Sequence, residues 1–134
     1  MNTGRSAAST AKDGSLPQTT RACVLLVEDD ATVAMLVEQI LLDMELQVLV
    51  VATLEYAMVE LEMASFDAAI IDMHLRGDRA DQLIDTLLRD GIPFMIVSGG
   101  DVSAFCATHP QVAVLGKPFD KSALEGCVRN LLSR

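Results

Sequence analysis

Residues 23–30 read CVLLVEDD, a continuous apolar run that ends in three acids. A run without polar alternation is typical of a strand buried on both faces, as the strands of parallel sheets are. Similar short runs recur at residues 48–51, 68–71, 94–97 and 112–115, and stretches with apolar residues at helical spacing lie between them. Five strands that alternate with five helices predict βαβ units and an α/β fold with one parallel sheet.

Local signals support this alternation of strands and helices. Thr53 and Asp120 are predicted to cap the second and last helices, because their side-chain oxygens can accept from backbone N–H groups. Gly91 is predicted to end the third helix. A helix over residues 101–108 is expected to be short, since its apolar stripe is thin.

Composition narrows the classes of function. The 134 residues suit one domain, and 51% of them are hydrophobic, enough for a substantial core. The net charge of −9 disfavours direct binding to nucleic acid or to an anionic membrane surface. The three cysteines are far apart, which argues against a disulfide framework or a zinc site. There is no secretory signal and no apolar run of membrane-spanning length, so a cytoplasmic protein is expected.

The first 21 residues differ from the rest of the chain. They are rich in Ser, Thr, Ala and Gly, and Leu16 is their one large apolar residue after Met1. Such a segment cannot bury enough surface to offset its ordering entropy. Residues 1–21 are therefore predicted to be a flexible tail, and residues 22–134 a single domain.

Polar residues follow four of the five predicted strands. Glu28 and Asp29 come directly after the first strand, Asp72 closes the third, Ser98 the fourth and Lys117 the fifth. In an open parallel sheet the carboxyl ends of the strands form the ligand-binding edge. Each residue alone also suits an ordinary cap, turn or solvated side chain, but their common register at four strand ends predicts one site.

The residue types of this site indicate phosphoryl-transfer chemistry. Several carboxylates at one point repel each other and need a hard cation, for which Mg²⁺ is the best candidate. A lysine offsets the charge of an anion, and a serine hydroxyl can donate to one of its oxygens. An aspartate among these groups is a candidate nucleophile for a phosphoryl group.

Four stretches resemble the motifs of response-regulator receiver domains in order and spacing. They are VLLVEDD at 24–30, AAIIDMHL at 68–75, MIVSGG at 95–100 and LGKPFD at 115–120. The resemblance covers residues 22–134. It implies a flavodoxin-like (βα)5 fold, doubly wound around a five-stranded parallel sheet in the order 2-1-3-4-5.

The resemblance also implies a metal site. Asp29 matches the direct Mg²⁺ ligand, Glu28 the acidic partner that acts mostly through water, and Asp72 the phospho-acceptor, which also binds the ion. The backbone carbonyl of His74 matches the third protein ligand. The His74 ring could itself be a ligand or could modulate hydrolysis, although an exposed loop residue is the simpler interpretation. Asp30 falls at a position that the family does not require.

The remaining matches concern the phosphoryl group. Ser98 matches the switch hydroxyl, and Lys117 the lysine that precedes Pro118. The family often has a proline where this chain has Arg76, and many members have an aromatic residue where it has Val114. HLRGDRADQ at 74–82 and IPFMIVSGG at 92–100 resemble small stand-alone receivers of alphaproteobacteria. The output surface is expected to lie at residues 99–115 and on the last helix.

The implied function is that of a single-domain response regulator in a two-component phosphorelay. A histidine kinase or histidine phosphotransferase would phosphorylate Asp72, and a downstream protein target would read the result. The chain would not be an enzyme in the usual sense, although self-catalysed phosphotransfer and dephosphorylation are possible for a receiver. No DNA-binding effector is expected, because no sequence follows residue 134.

Two other functions compete with this interpretation. A small phosphatase of the haloacid-dehalogenase type also gathers Asp, Ser, Lys and acids at strand ends. Its nucleophile follows the first strand and its acidic pair comes late, whereas here the acidic cluster comes first. A scaffold of the same fold that is not phosphorylated would not need Glu28, Asp29, Asp72 and Lys117 together.

Overall fold

The computed structural model describes residues 21–75 and 78–133. The predicted tail lies outside the described residues except for Arg21, and so does Arg76. The helices are α1 (Ala31–Asp43), α2 (Leu54–Met63), α3 (Asp81–Asp90), α4 (Ser103–Thr108) and α5 (Lys121–Leu132). The strands are β1 (Cys23–Val27), β2 (Gln47–Val51), β3 (Ala68–Asp72), β4 (His74–Leu75), β5 (Asp78–Arg79), β6 (Phe94–Ser98) and β7 (Ala113–Gly116).

The main sheet has five parallel strands in the order β2-β1-β3-β6-β7. Counted within this sheet along the chain, the order is 2-1-3-4-5, which confirms the predicted flavodoxin-like fold. The register aligns the carboxyl ends of the strands: Val27 pairs with Ile71, Asp72 with Val97 and Ser98 with Gly116. The residues that follow β1, β3, β6 and β7 therefore share one edge.

Two apolar layers cover the two faces of the sheet. Val24 and Leu26 of β1 pack into a cluster with α1 and α5. Leu25 and Val27 point the other way, into a cluster with α2 and α3. Alternate residues of a strand point to opposite faces, so a strand covered on both faces must be apolar throughout.

The helix boundaries follow the signals in the sequence. Thr53 Oγ1 accepts from the backbone N–H of Tyr56 at 3.1 Å, and Asp120 Oδ1 accepts from that of Ala123 at 2.8 Å, so both predicted caps are confirmed. Gly91 ends α3 with φ of 70°, a left-handed conformation that favours glycine.

Two local features differ from the sequence-based expectation. A small antiparallel pair, β4 and β5, occupies part of the segment that was expected to be a loop. Strands of two residues carry no detectable alternation, so no sequence pattern announces them. The fourth helix is shorter than predicted, at six residues, and none of them is buried.

Among the described residues, no helix is both long and apolar enough to cross a bilayer.

Candidate functional site

The site lies at the carboxyl edge of the main sheet and draws on four strands. The backbone places its members: the N–H of Glu28 donates to the carbonyl of Val51 at 3.0 Å, and the N–H of Lys117 donates to the carbonyl of Ser98 at 2.8 Å. These bonds extend the sheet pairing by one residue beyond β1 and β7. The side chains that follow the strands are thus fixed relative to each other by the ladder itself.

Three carboxylates form the centre of the site. One oxygen from each of Glu28, Asp29 and Asp72 lies within 4.8 Å of the others. Glu28 and Asp72 are almost fully buried, at 4% and 6% exposure, and Asp29 is half-buried. Like charges at this separation repel strongly in a partly desolvated site, so a cation at the centre would be favourable.

Lys117 bridges two of these carboxylates. Its Nζ lies 3.3 Å from Glu28 Oε1 and 3.5 Å from Asp72 Oδ2. The lysine side chain is 25% exposed, so its ammonium group is reachable from solvent while it pairs with buried acids. Burial lowers the pKa of Lys117, but the charges of Asp72 and Glu28 outweigh it and raise the pKa overall, so the lysine stays charged.

The pKa of Glu28 is shifted far from its ordinary value. Burial, a shared hydrogen bond with Asp72 and the charge of that carboxyl raise the pKa of Glu28 to about 7. The backbone N–H of Asp30, which donates to Glu28 Oε2 at 3.2 Å, and the charge of Lys117 oppose this shift without cancelling it. The site is therefore short of positive charge, as expected for a site that binds a divalent ion.

Ser98 closes β6 with its hydroxyl at the same edge. Ser98 is 3% exposed, and its Oγ accepts from the backbone N–H of Gly100 at 3.1 Å. A Cβ added to Gly99 would meet the aliphatic part of Lys117 at 3.7 Å, which is ordinary contact. Gly99 thus lies against the lysine stem. The peptide bond between Lys117 and Pro118 is cis.

The structure separates Asp30 from the other acids of its cluster. Asp30 Oδ1 accepts from the backbone N–H groups of Thr32 and Val33 at 2.9 and 3.1 Å, so this side chain caps α1. The backbone N–H of Asp30 also donates to Glu28 Oε2 at 3.2 Å. This role was not predicted from the sequence, where only the short separation of the two residues suggests it. His74 begins β4, and its side chain lies outside the part of the structure that is described.

The donor set fits Mg²⁺. Three carboxylate oxygens within one small volume are hard ligands, and half-exposed Asp29 leaves room for the waters that this ion retains. The sequence analysis predicted these same residues for the metal, and the fold brings them together. Whether the backbone carbonyl of His74 completes the set stays a prediction.

Solved structures with this fold are numerous, whereas neither the protein-family models nor the curated proteins include a match. A CheY-like receiver domain protein from Methanospirillum hungatei JF-1 superposes with a TM-score of 0.77 at 24% identity, over 85% of this chain and 95% of that one. A putative response regulator from Chloroflexus aurantiacus J-10-fl is 29% identical, with a TM-score of 0.76, over 86% and 100%.

A third similar structure is the BeF3-activated conformation of SdrG from Pseudomonas melonis Fr1. It is 29% identical, with a TM-score of 0.71, over 82% of this chain and 95% of that one. These neighbours and the acidic site define the class: the chain is a CheY-like response-regulator receiver domain. It is a signalling domain of two-component phosphorelays, and the haloacid-dehalogenase alternative is not favoured.

Proposed function

We propose that Asp72 accepts a phosphoryl group from a phosphohistidine of a histidine kinase or histidine phosphotransferase. The observation that carries this proposal is the setting of Asp72. Its carboxylate is buried at the end of β3, within 4.8 Å of carboxylate oxygens of Glu28 and Asp29, and 3.5 Å from the Lys117 ammonium. None of the other described acids lies in such a group.

The transfer uses groups that this chain supplies. An Asp72 carboxylate oxygen attacks phosphorus, the phosphorus–nitrogen bond of the donor breaks, and its electron pair goes to the imidazole nitrogen. Lys117 can move from the carboxylate to a phosphoryl oxygen over a short distance. Ser98 already accepts from Gly100, so its own hydroxyl proton remains available for a phosphoryl oxygen.

The acidic cluster would hold the metal that this chemistry requires. Glu28, Asp29 and Asp72 supply carboxylate oxygens, and His74 would add its backbone carbonyl. When bound, Mg²⁺ would offset the negative charge that gathers on the phosphoryl oxygens during transfer. Since this chain supplies the nucleophile, the lysine, the hydroxyl and the carboxylates that would hold the metal, we expect self-catalysed phosphotransfer from small donors and self-catalysed loss of the phosphoryl group.

The output is expected to pass through a protein target that reads residues 99–115 and α5. Val114 is short, β-branched and partly packed into the core, so it cannot rotate as an aromatic residue would. The backbone from Ser98 to Gly100 and the weakly anchored α4 would carry the signal instead. The acidic charge of the chain disfavours a direct DNA contact.

We further propose that residues 22–134 form the receiver domain and residues 1–21 a tail. Cys23, Cys106 and Cys127 are free thiols, which suits the reducing cytoplasm.

Labelling with acetyl phosphate and Mg²⁺ tests the assignment of the acceptor. Wild type should gain one phosphoryl group by intact-protein mass spectrometry, and Asp72→Asn should gain none, because the amide is not a nucleophile. Asp30→Asn is the matched control: it makes the same chemical change beside the site at a residue that caps α1, and asparagine caps nearly as well. Equal labelling of the Asp72 variant and wild type would refute the assignment.

A further inference from the structure

A groove of about 600 Å³ lies between α3 and α4. Its lining includes none of the residues of the acidic site. The apolar residues that line it include Met73, Ile84, Val102 and Phe105. Its volume is within the usual range for ligand sites, roughly 300–1,000 Å³.

The α4 wall of the groove is weakly anchored to the rest of the domain. The helix has six residues, none buried, and its N-cap residue Val102 makes no side-chain capping hydrogen bond. Phe105 is its main contact with the core, and the ring stacks on His109 with centroids 4.4 Å apart and an angle of 13° between the planes. One wall is therefore an aromatic surface on a helix of low stability.

Apolar surface continues beyond the groove along α3. Leu88 lies one helical turn from Ile84 and is 49% exposed. An apolar side chain left open at the end of an apolar groove lengthens the surface available to a partner.

The rim of the groove is acidic. Asp81 and Asp85 lie one turn apart on α3, and Asp101 lies on the opposite side, before α4. The described lining residues include no lysine or arginine. Asp81 has an interaction of its own, and Asp85 and Asp101 carry the rim charge that faces a partner.

Asp85 and Asp101 expose negative charge at the rim of the groove. Asp85 is exposed. Asp101 is also exposed, and its carboxylate accepts from the hydroxyl and backbone N–H of Ser103 at 2.6 and 2.9 Å. These bonds lower the pKa of Asp101, so it is ionised at neutral pH. Negative charge on both sides of an apolar floor attracts a basic partner and repels nucleic acid.

We propose that this groove binds a basic amphipathic helix of a partner protein, with its apolar side chains against Phe105 and its lysines or arginines beside Asp85 and Asp101. Such a helix matches both features of the groove at once: the apolar floor takes its anchors, and the acidic rim takes its flanking charges. The inference rests in part on the proposed output surface, because Asp101 and Phe105 lie within residues 99–115, and it extends that surface to α3; the groove contains no residue of the acidic site.

A titration monitored by NMR tests this proposal on the full chain. The probe is a synthetic helical peptide with leucines at i, i+3 and i+7 and lysines on both flanks. We expect amide shifts to concentrate in residues 80–88 and 101–109. Shifts centred on Glu28, Asp29 and Asp72, or spread evenly over the acidic surface, would overturn the proposal.

Two variants distinguish a specific groove from general attraction to an acidic protein. Asp85→Lys should weaken binding by about fivefold or more, because it puts a like charge against the peptide. Glu62→Lys, the same charge change at an exposed position on α2, should weaken it by less than about twofold. Equal losses in both variants would refute a site in the groove.

Phe105→Ala should weaken binding about tenfold through loss of the aromatic wall. If this variant does not fold, the comparison of Asp85→Lys with Glu62→Lys still decides whether the groove is the site.

Other occupants of the groove would change the NMR spectrum of the protein even when no peptide is added. Groove shifts that depend on protein concentration would identify a second copy, and shifts of residues 1–20 caused by Asp85→Lys would identify this chain's own N-terminal segment. Either result would overturn the proposal of a partner helix.

Discussion

The raised pKa of Glu28 makes the stability of the metal-free protein depend on pH in a direction opposite to that of most carboxylates. Burial comes first among the causes, followed by the hydrogen bond and the charge of Asp72, and together they raise the pKa from the ordinary value of 4.5 to about 7. Between these two values the native protein keeps a proton that the unfolded chain has released. The free energy of unfolding therefore falls as pH rises through this window.

The size of the effect follows from the shift. Each pH unit corresponds to about 1.4 kcal/mol, so the interval from 4.5 to about 7 sets an upper limit of about 3 kcal/mol. Because Glu28 is 4% exposed, solvent screens little of this cost. Lys117 does not contribute to the slope in this range, since its raised pKa lies above neutrality. Urea unfolding from about pH 5 to about pH 8 in the presence of a chelator measures the change.

A variant isolates the contribution of Glu28 from the general repulsion among the acids. Glu28→Gln cannot ionise, so its stability should fall less than that of wild type over the same interval. Glu62→Gln, at an exposed position of α2, should behave as wild type. Saturating Mg²⁺ should flatten the wild-type slope, because the ion favours the ionised carboxylate. Parallel pH profiles for wild type and Glu28→Gln in chelator would refute the reasoning.

Three more predictions address the metal, the backbone and the output. Asp29→Asn should weaken Mg²⁺ binding in calorimetry by about tenfold or more, through loss of a carboxylate ligand, whereas an equal loss in Asp30→Asn would contradict the assignment. Gly91→Ala should lower the free energy of unfolding by about 1 kcal/mol because φ is 70° there, and an unchanged urea midpoint would contradict this. Beryllofluoride, which mimics the phosphoryl group, should change hydrogen exchange most between Ser98 and Pro110, and a change confined to residues 73–81 would place the switch elsewhere.

The sequence was sufficient to predict the sheet and the gathering of the site residues. Buried parallel strands must be apolar on both faces, so the short apolar run at 23–27 and the polar residues that follow it indicate a buried strand. Once the strands are known to be parallel, their carboxyl ends share an edge, and Asp72 must lie near Glu28. The caps at Thr53 and Asp120 depend only on neighbouring residues, which is why they could be predicted locally.

Features that depend on tertiary packing could not be predicted in this way. Lys117 contacts Glu28 across 89 positions of sequence, and the raised pKa of Glu28 depends on how deeply the folded chain buries it. The groove beside Phe105 depends on how far α4 lies from α3, which no pattern encodes. Asp30 belongs to the acidic cluster in sequence and to the cap of α1 in space, and only the backbone geometry separates these roles.

The proposal that Asp72 carries the phosphoryl group is tested most directly by locating that group on the chain. The protein is labelled with acetyl phosphate and Mg²⁺ and then reduced with borohydride, which converts an acyl phosphate to an alcohol. Peptide mass spectrometry should find homoserine at position 72 and an unmodified carboxylate at Asp29. Homoserine at any other position, or efficient labelling that leaves Asp72 unmodified, would contradict the account.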